Sequence, residues 1–380
     1  MVNLKDNFVG MYIKRFIIPR ALIFDKPGFI NFKISGKTNV FARQILVPED
    51  FFVNLEKNIV EKYGIKGMFA LYSIGKKFGY SFAQLGRFEN INDHPGEKIK
   101  EWIFIADKFI EGTYASEMNQ NTKVNEKIVD VELRNFVICR KLGYDFIFAT
   151  GGAAGVISWL FQDKNIEGHY YDSKMIDGEH FAKVKCAPFD ILKSTINSDQ
   201  IFSELNVDNL SQNVDLYNTF NLESEIGTTK SFSSYLDAKI FNYENGIITL
   251  KSSGERFFLL ESSGMYLVEL ELKKRGIDSE LFNIAFLIGK ILLGDLSTDI
   301  QSAVELFTAL GWGEIIVSGS EKIKVIINHF PWTSWYKDID YLIIRGFLSG
   351  VLSKFYDREI NLKNFILDVN SNFLILMFTE

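Results

Sequence analysis

The feature that most constrains the fold of this 380-residue chain is a pattern that occurs twice in the same order. In residues 28–37 and again in residues 246–255, a short apolar run lies between two glycines. Three further matches follow: Ile74-Gly75-Lys76 with Ile288-Gly289-Lys290, Asn135-Phe136 with His329-Phe330, and Gly151-x3-Gly155-Val156-Ile157-Ser158 with Gly346-x3-Gly350-Val351-Leu352-Ser353. Glycine serves positions that need positive φ or close backbone approach, so matched glycines indicate shared backbone requirements. The pattern therefore predicts two copies of one domain.

The spacing of these matches predicts the domain boundaries. Between residues 75 and 136 the offset between the copies falls by about 20 residues, as one insertion would cause. We therefore expect a first copy over 1–190 with an insertion near 86–126, and a second copy over 236–380. Within the insertion, residues 88–96 and 116–126 are polar and are predicted to be loops. Residues 191–235 are rich in Ser, Asn and Asp and are predicted to form a linker that includes a helix.

Each copy is predicted to be α+β, with an antiparallel sheet packed against helices. Short apolar runs separated by turn residues predict an opening β-hairpin, over 22–47 and over 238–260. Helical spacing of apolar residues then predicts helices, and in the second copy alternating runs predict further strands. The predicted helices are 49–64, 67–82, 263–275, 279–293, 298–310 and 340–355, and the strands of the second copy are 314–317, 323–327, 360–365 and 372–378.

Composition narrows the class of protein. Hydrophobic residues make up 47% of the chain and charged residues 24%, as in soluble globular proteins, and the 35 Phe favour large cores or apolar cavities. A net charge of −6 without a Lys/Arg-rich run argues against nucleic-acid binding. We expect a cytoplasmic protein without a membrane span, because there is no signal peptide or long apolar stretch and only two cysteines, Cys139 and Cys186. Cys139 is predicted to be an ordinary strand residue.

Several motifs together resemble a known domain. They are the entry from hairpin to helix, the Ile-Gly-Lys helices, the two Gly-x3-Gly helices, and Leu310-Gly311-Trp312-Gly313 before a strand. Their order resembles the 4-vinyl reductase domain, which is related to the small subunits of TRAPP-type vesicle-tethering complexes. The first copy departs from the pattern, because its corresponding region near 109–112 lacks the Trp. The resemblance implies an apolar pocket for a small hydrophobic molecule and an intramolecular pseudo-dimer, and it leaves a homodimer open.

The second copy supplies the candidate ligand-binding residues Trp312, His329 and Trp332. If Trp312 lines the pocket, its indole N–H donates to a polar ligand atom. The alternative is a tryptophan packed beside the two turn glycines. His329 and Trp332 follow a predicted strand, where a single histidine is more often structural than catalytic.

The resemblance also implies a metal site. The family places a Cys before the Gly-x3-Gly helix and Glu-x2-Cys-x7-Cys in the last hairpin. Counted from Gly155, the last three positions fall on His169, Asp172 and His180, which are competent ligands for zinc or iron. The first position falls on Phe146, beside Asp145, so the first ligand is left open, and Cys186 is a further candidate. The alternative is that both histidines lie on the hairpin surface.

No catalytic set emerges from the sequence, which lacks a phosphate-binding Walker loop, a nucleophile elbow and a His-Glu-x-x-His helix. The two Gly-x3-Gly motifs are predicted to serve close helix packing. We therefore predict a binding or regulatory protein that holds a small hydrophobic ligand and signals through a protein partner. One alternative is a pairing scaffold of the tethering-subunit type with collapsed pockets. Another is a metal-dependent enzyme that uses the 169–180 cluster.

Overall fold

A computed structural model of the protein describes residues 4–33, 41–136, 147–176, 179–196, 201–207, 230–244, 247–332, 339–368 and 373–378. This part of the chain is α+β, with antiparallel sheets packed against helices, as the sequence predicts. It divides into two compact units. Unit 1 comprises Met1–Ala21, Glu56–Ser211 and Asn242–Leu259, and unit 2 comprises Leu22–Leu55, Gln212–Phe241 and Leu260–Glu380.

The helices include those predicted from helical periodicity. In chain order they are α1 (Leu4–Tyr12), α2 (Ile18–Ala21), α3 (Glu49–Leu85), α4 (Lys98–Tyr114), α5 (Ile147–Phe161), α6 (Phe189–Thr195), α7 (Phe232–Asp237), α8 (Ser263–Lys274), α9 (Leu281–Ile288), α10 (Ile300–Ala309) and α11 (Leu342–Phe355). Single π-helical turns, Ile13–Ile17 and Gly289–Leu293, follow α1 and α9. Helix α3 is bent at Gly64, whose φ of 54° is left-handed and suits glycine. The bend lies where the sequence predicts one helix to end and the next to begin.

The strands are β1 (Leu22–Ile23), β2 (Ile30–Lys33), β3 (Phe41–Pro48), β4 (Glu117–Lys123), β5 (Ile128–Arg134), β6 (Ile166–Ile176), β7 (Glu179–Pro188), β8 (Phe241–Glu244), β9 (Ile247–Leu250), β10 (Arg256–Glu261), β11 (Glu314–Ser318), β12 (Lys324–Asn328), β13 (Asn364–Asp368) and β14 (Phe373–Met377). Unit 1 contains a four-stranded sheet of order β4-β5-β7-β6, and unit 2 contains one of order β11-β12-β14-β13. All the pairings within both sheets are antiparallel.

Buried and more exposed residues alternate along the strands of each four-stranded sheet. In β14, Leu374 and Leu376 are buried while their neighbours are half-exposed. In β7, the buried residues include Ala182 and Val184 at alternate positions. One face of each sheet is therefore apolar and packs on the core of its own unit.

The hairpins belong to the unit formed by the other half of the sequence. Strands β1 to β3 lie in unit 2, and residues 242–259, which carry β9 and most of β8 and β10, lie in unit 1. A buried arginine anchors each hairpin. Arg43 donates to the carbonyl oxygens of His329 and, at 2.9 Å, of Gly28, and Arg256 donates to those of Asn135 and Phe136 at 3.0 and 2.9 Å. The compact units therefore cut across the ranges 1–190 and 236–380 that the repeat suggests.

Helices cross at glycines in both units. A Cβ atom at Gly151 or Gly155 of α5 would overlap a carbonyl oxygen of α3, that of Tyr72 or Lys76. A Cβ atom at Gly346 or Gly350 of α11 would likewise overlap a carbonyl oxygen of α9. These contacts confirm that the Gly-x3-Gly motifs serve close helix packing.

The predicted loop within the insertion near 86–126 is wrong in its second part. Residues 98–114 form α4, and β4 begins at Glu117, where the sequence predicts a polar loop over 116–126. In β4, Met118 and Thr122 are buried and most of the positions between them are more exposed. The strand was missed because polar residues occupy its exposed positions.

Parts of other predictions lie outside the described residues. These are residues 34–40 and 245–246 of the matched hairpins, Cys139, and residues 197–200 and 208–229 of the predicted linker. Within the linker range, residues 201–207 are ordered in unit 1, where Ile201 and Val207 are buried.

Two alanine substitutions on α5 test the crossing. Gly155→Ala should lower the free energy of unfolding by about 1–3 kcal/mol, because the added methyl group overlaps α3. Gly152→Ala should raise it by about 0.5–1 kcal/mol, because a Cβ there meets only the carbonyl oxygen of Gly75, at 3.8 Å, and alanine favours the helix. Urea unfolding followed by circular dichroism measures both, and equal effects would contradict the proposed packing.

Candidate functional site

An apolar cavity of about 90 Å³ lies within unit 1. Its wall is formed by α3 beyond Gly64, by α4 and α5, and by residues of β4, β5 and β10. The lining residues are Phe78, Gly79, Phe82, Asp107, Ile110, Tyr114, Met118, Val131, Leu133, Phe136, Phe148, Ala149, Gly152, Ala153, Val156, Ile157 and Phe258. An apolar cavity of ~150 Å³ in another protein binds benzene, so a molecule with as many non-hydrogen atoms as benzene is the upper limit for this smaller cavity.

Small residues on α5 leave this space open. Ala149, Gly152 and Ala153 face the cavity, and Gly152 lies at the crossing with α3, where its carbonyl oxygen faces Gly79. At the crossing in unit 2, the carbonyl oxygen that faces Gly289 belongs to Phe347. The Phe347 ring is fully buried, 5.7 Å from the Trp312 ring. The helix crossing thus carries a cavity in unit 1 and a large aromatic side chain in unit 2.

Asp107 brings a carboxyl group to this apolar lining. The residue is 3% exposed, and its Oδ2 atom has no hydrogen-bond partner among the described residues. Burial raises the pKa of Asp107 well above the ordinary carboxyl value, and the nearby Lys108 cation opposes this only as a smaller effect. At a pH below its raised pKa, a buried carboxyl group is neutral, and its O–H can donate a hydrogen bond.

Aromatic rings form much of the remaining wall. Phe78 and Phe148 stack with ring centroids 6.2 Å apart. Tyr114 contacts Phe258 edge to face at 5.1 Å and Phe136 at 6.2 Å. Such rings offer apolar surface and polarised edges to a bound molecule. Phe258 comes from the hairpin of the second half of the sequence, so the lining draws on both halves.

A second polar group, a buried ion pair, lies between α3 and β6. Lys76 Nζ is 2.7 Å from Glu167 Oε1, and neither side chain is exposed. Tyr72 donates to Glu167 Oε2 at 2.6 Å and accepts from the Gly168 backbone N–H at 2.7 Å. The backbone N–H of Glu204 donates to Glu167 Oε1 at 2.8 Å. Glu167 therefore joins α3, β6 and residues 201–207.

The protonation of this group follows from its burial. Burial raises the pKa of Glu167 and lowers that of Lys76, and in each case the partner's opposite charge acts against the shift. Burial, together with the Glu167 carboxylate, raises the pKa of Tyr72 well above the ordinary value, so its hydroxyl remains a donor. Because Glu167 accepts from three donors, the arrangement has the form of a structural ion pair.

The three predicted metal ligands do not form a common site. On the β6-β7 hairpin, His169 pairs with Lys185, Asp172 with Lys183, and His180 with Met175. The strand length from Lys185 to His180 is about 16 Å at roughly 3.3 Å per residue, whereas zinc binds histidine nitrogen at about 2 Å. Across the described ranges, no group of three or more His, Cys, Asp or Glu is placed to hold a metal ion. His169 instead lines a cavity of about 20 Å³ with Tyr72.

The predicted ligand residues of unit 2 lie in a packed aromatic cluster. Trp312 and Trp332 are buried with ring centroids 5.6 Å apart, and the Trp312 indole N–H donates to the Leu46 carbonyl at 3.2 Å. His329 is also buried, and its ring centroid is 5.6 Å from that of Phe29. The indole nitrogen of Trp332 has no hydrogen-bond partner within the described chain. The structure thus brings Trp312 and Trp332 together, as part of a core.

Sequence reasoning missed Asp107 because it assigned no helix to residues 97–115, between the two loops predicted within the insertion. A usable signal exists on α4. Ile103, Ala106, Ile110 and Tyr114 recur at helical spacing and define an apolar face, and Asp107 falls on that face. A carboxylate on an apolar helix face indicates a group that is buried, and hence a candidate for function.

Comparison of the sequence with protein-family models finds no match, and comparison with curated proteins finds none either. Within the described residues, none of the helices combines the length and the apolar character that crossing a membrane requires.

The Lys76–Glu167 pair generates a stability prediction. Lys76→Met should lower the free energy of unfolding by about 3–5 kcal/mol, because it leaves Glu167 buried without its cation. Lys76→Met combined with Glu167→Gln should recover most of this loss, since no charge is then left buried and the amide oxygen still accepts from the Glu204 backbone N–H.

Chemical unfolding of the single and double variants provides the measurement. Lys100→Met, at a pair with Glu97 that is largely exposed, is the matched control and should change stability by no more than about 1 kcal/mol. A double variant as unstable as Lys76→Met would contradict this account.

Proposed function

We propose that the protein is a binding protein whose unit 1 holds a small hydrophobic molecule and which signals through a protein partner. The observation that carries the proposal is the cavity of about 90 Å³, whose accessible lining is almost entirely apolar. Well-formed apolar pockets with few convergent polar groups are the usual sites for small ligands. The ligand then lies between α3, α4 and α5, and the cluster of Trp312, His329 and Trp332 serves as core.

The proposal includes a duplicated 4-vinyl-reductase-like domain, and matching contacts in the two units support it. Glu56 of α3 accepts from the Phe148 backbone N–H at the start of α5, at 2.8 Å. Glu269 of α8 accepts from the first two N–H groups of α11, those of Leu342 and Ile343, each at 3.0 Å. Burial raises the pKa of Glu269 to about 7. A buried glutamate thus caps the Gly-x3-Gly helix in both units.

Other matched residues make equivalent contacts. Ser158 donates to the carbonyl oxygen of Ile166, and Ser353 donates to that of Ile360. Asn135 and His329 both have left-handed backbone, with φ of 48° and 57°, and the carbonyl oxygen of each accepts from a hairpin arginine. These pairs support the alignment of Asn135 with His329 and of Gly155 with Gly350.

One sequence match shifts by a helical turn under this alignment. Gly289 faces the carbonyl oxygen of Phe347, and the residue that faces the carbonyl oxygen of Gly152 is Gly79. Gly289 is therefore the counterpart of Gly79, one turn beyond Gly75. More of the difference in length between the copies therefore lies before these two glycines, between the hairpins and helices α3 and α9.

Filling the cavity tests the binding proposal. Gly152→Phe gives unit 1 the residue type that unit 2 has at Phe347. The new ring should occupy the cavity and weaken the binding of methylenecyclopentane by at least about tenfold. Binding is measured by isothermal titration calorimetry, and circular dichroism checks that the variant folds. Trp312→Phe is the control and should leave binding unchanged.

The opposite pattern would reject the cavity as the site. Loss of binding in Trp312→Phe with retention in folded Gly152→Phe would move the ligand to unit 2. Absence of binding to the unmodified protein would reject the binding proposal for ligands of this size.

A second candidate function, a pairing scaffold, is favoured by the outer face of the unit 2 sheet. Strand register places four isoleucines in one row across it: Ile316, Ile326, Ile375 and Ile366. Ile316 and Ile366, on the edge strands, are 44% and 52% exposed. On the sheet of unit 1, the outer face carries charged pairs such as Asp130 with Lys185. The isoleucine row is thus a feature of unit 2.

The occupant proposed for this face is a second copy of the chain. The register row on one side of the isoleucines contains Lys324, and the row on the other side contains Asp368. A twofold axis along the isoleucine row would set the row of Lys324 in one copy against the row of Asp368 in the other. These two charges are therefore placed to complement each other across an isologous interface.

Sedimentation of the purified protein tests the pairing. The unmodified chain should sediment as a dimer, and Ile366→Lys as a monomer with an unchanged melting curve, because a charge cannot be buried between the apolar faces. Glu132→Lys, on the outer face of the unit 1 sheet, is the matched control and should remain dimeric. A monomeric unmodified chain would exclude the self-pairing scaffold.

A further inference from the structure

A single carboxyl group stands out in the unit 1 cavity. Among the described lining residues the side chains with polar atoms are those of Asp107 and Tyr114. Asp107 is only 3% exposed, and its Oδ2 atom lacks a hydrogen-bond partner within the described chain. Buried polar atoms are nearly always hydrogen-bonded, so an unpartnered one beside a cavity indicates a missing group.

We infer that the cavity selects neutral molecules with one hydrogen-bond acceptor, such as a ketone or ether oxygen, and that Asp107 donates to that acceptor. This inference rests on the proposed binding function and names the class of ligand. An acceptor in the cavity would satisfy the Asp107 carboxyl group, while the rest of the molecule contacts apolar side chains such as Phe78, Val131 and Val156. A purely apolar ligand would leave the carboxyl group without a partner.

An ammonium ligand fits the lining less well. An ammonium group carries three donors, and the cavity offers it the carboxylate of Asp107 and the hydroxyl of Tyr114. Bringing both charges out of water is costly unless every remaining donor finds an acceptor. The apolar residues that surround Asp107 supply none, so a neutral acceptor matches the cavity better than a cation.

The groups around Asp107 determine how binding depends on pH. Tyr114 is the other titratable group of the described lining, Lys108 is adjacent on α4, and Cys186 of β7 interacts electrostatically with Asp107. Burial raises the pKa of the Cys186 thiol, which stays neutral. Because the pKa of Asp107 is raised by burial, donation persists at low pH and is lost as pH rises through that pKa.

Two isosteric probes test the inference. Cyclopentanone and methylenecyclopentane differ by an oxygen atom in place of a methylene group. Below the pKa of Asp107 the unmodified protein should bind cyclopentanone at least about tenfold more tightly than methylenecyclopentane, because only the ketone accepts from Asp107. The preference should decline as pH rises through that pKa, because the carboxyl group ionises. Asp107→Asn should keep the preference without the pH dependence, since its amide donates at every pH, and Asp107→Leu should abolish it.

The outcomes separate this inference from the binding proposal. If the unmodified protein binds both probes equally, the inference fails and the binding proposal stands. If it binds neither, the binding proposal itself fails. If it prefers cyclopentylamine to cyclopentanone, and the more so at higher pH, Asp107 acts as a carboxylate for cations and the inference is overturned. The Asn variant keeps the test valid should the Leu variant fail to fold.

Discussion

The close crossing of α3 and α5 is the contact on which the rest of unit 1 depends. Gly151 and Gly155 let the two backbones approach until no Cβ atom would fit between them. This approach places Tyr72 and Lys76 of α3 beside Glu167 of β6, and it sets Gly152 against the cavity. Without glycines, side chains would separate the helices, and both the ion pair and the cavity wall would lose their geometry.

The two units share the same kind of helix crossing but differ in the side chains that surround it. In unit 1, Gly155 faces the carbonyl oxygen of Lys76, and in unit 2 the matching Gly350 faces that of Phe286. Likewise Gly152 borders open space, while Phe347 fills its surroundings. A buried charge needs exact partners, and an aromatic ring needs only apolar neighbours. Unit 1 thus has the polar core and the cavity, and unit 2 has the filled core.

Much of the local structure could be predicted from the sequence, because apolar periodicity and turn residues act over short distances. The break at Gly64, the Gly-x3-Gly packing and the α+β class are examples. The assignment of the hairpins to units could not be predicted, because it depends on contacts that residues 22–55 and 242–259 make with segments far away in the sequence. Predicting Asp107 as a site residue would have required knowing that α4 is a helix with a buried face. Counting ligands from Gly155 could not reveal that strand pairing holds His169 and His180 apart.

Because each hairpin belongs to the unit formed by the other half of the sequence, neither unit can be completed from one continuous stretch of chain during synthesis. Residues 22–55 leave the ribosome early, yet the unit to which they belong also needs residues 260–380. Unit 1 in turn waits for residues 242–259. Tandem domains usually fold one after another from the N-terminus. Here the first hairpin remains without most of its unit until residues 260–380 have been made, so its strand edges are open to chaperones and to wrong partners throughout that interval.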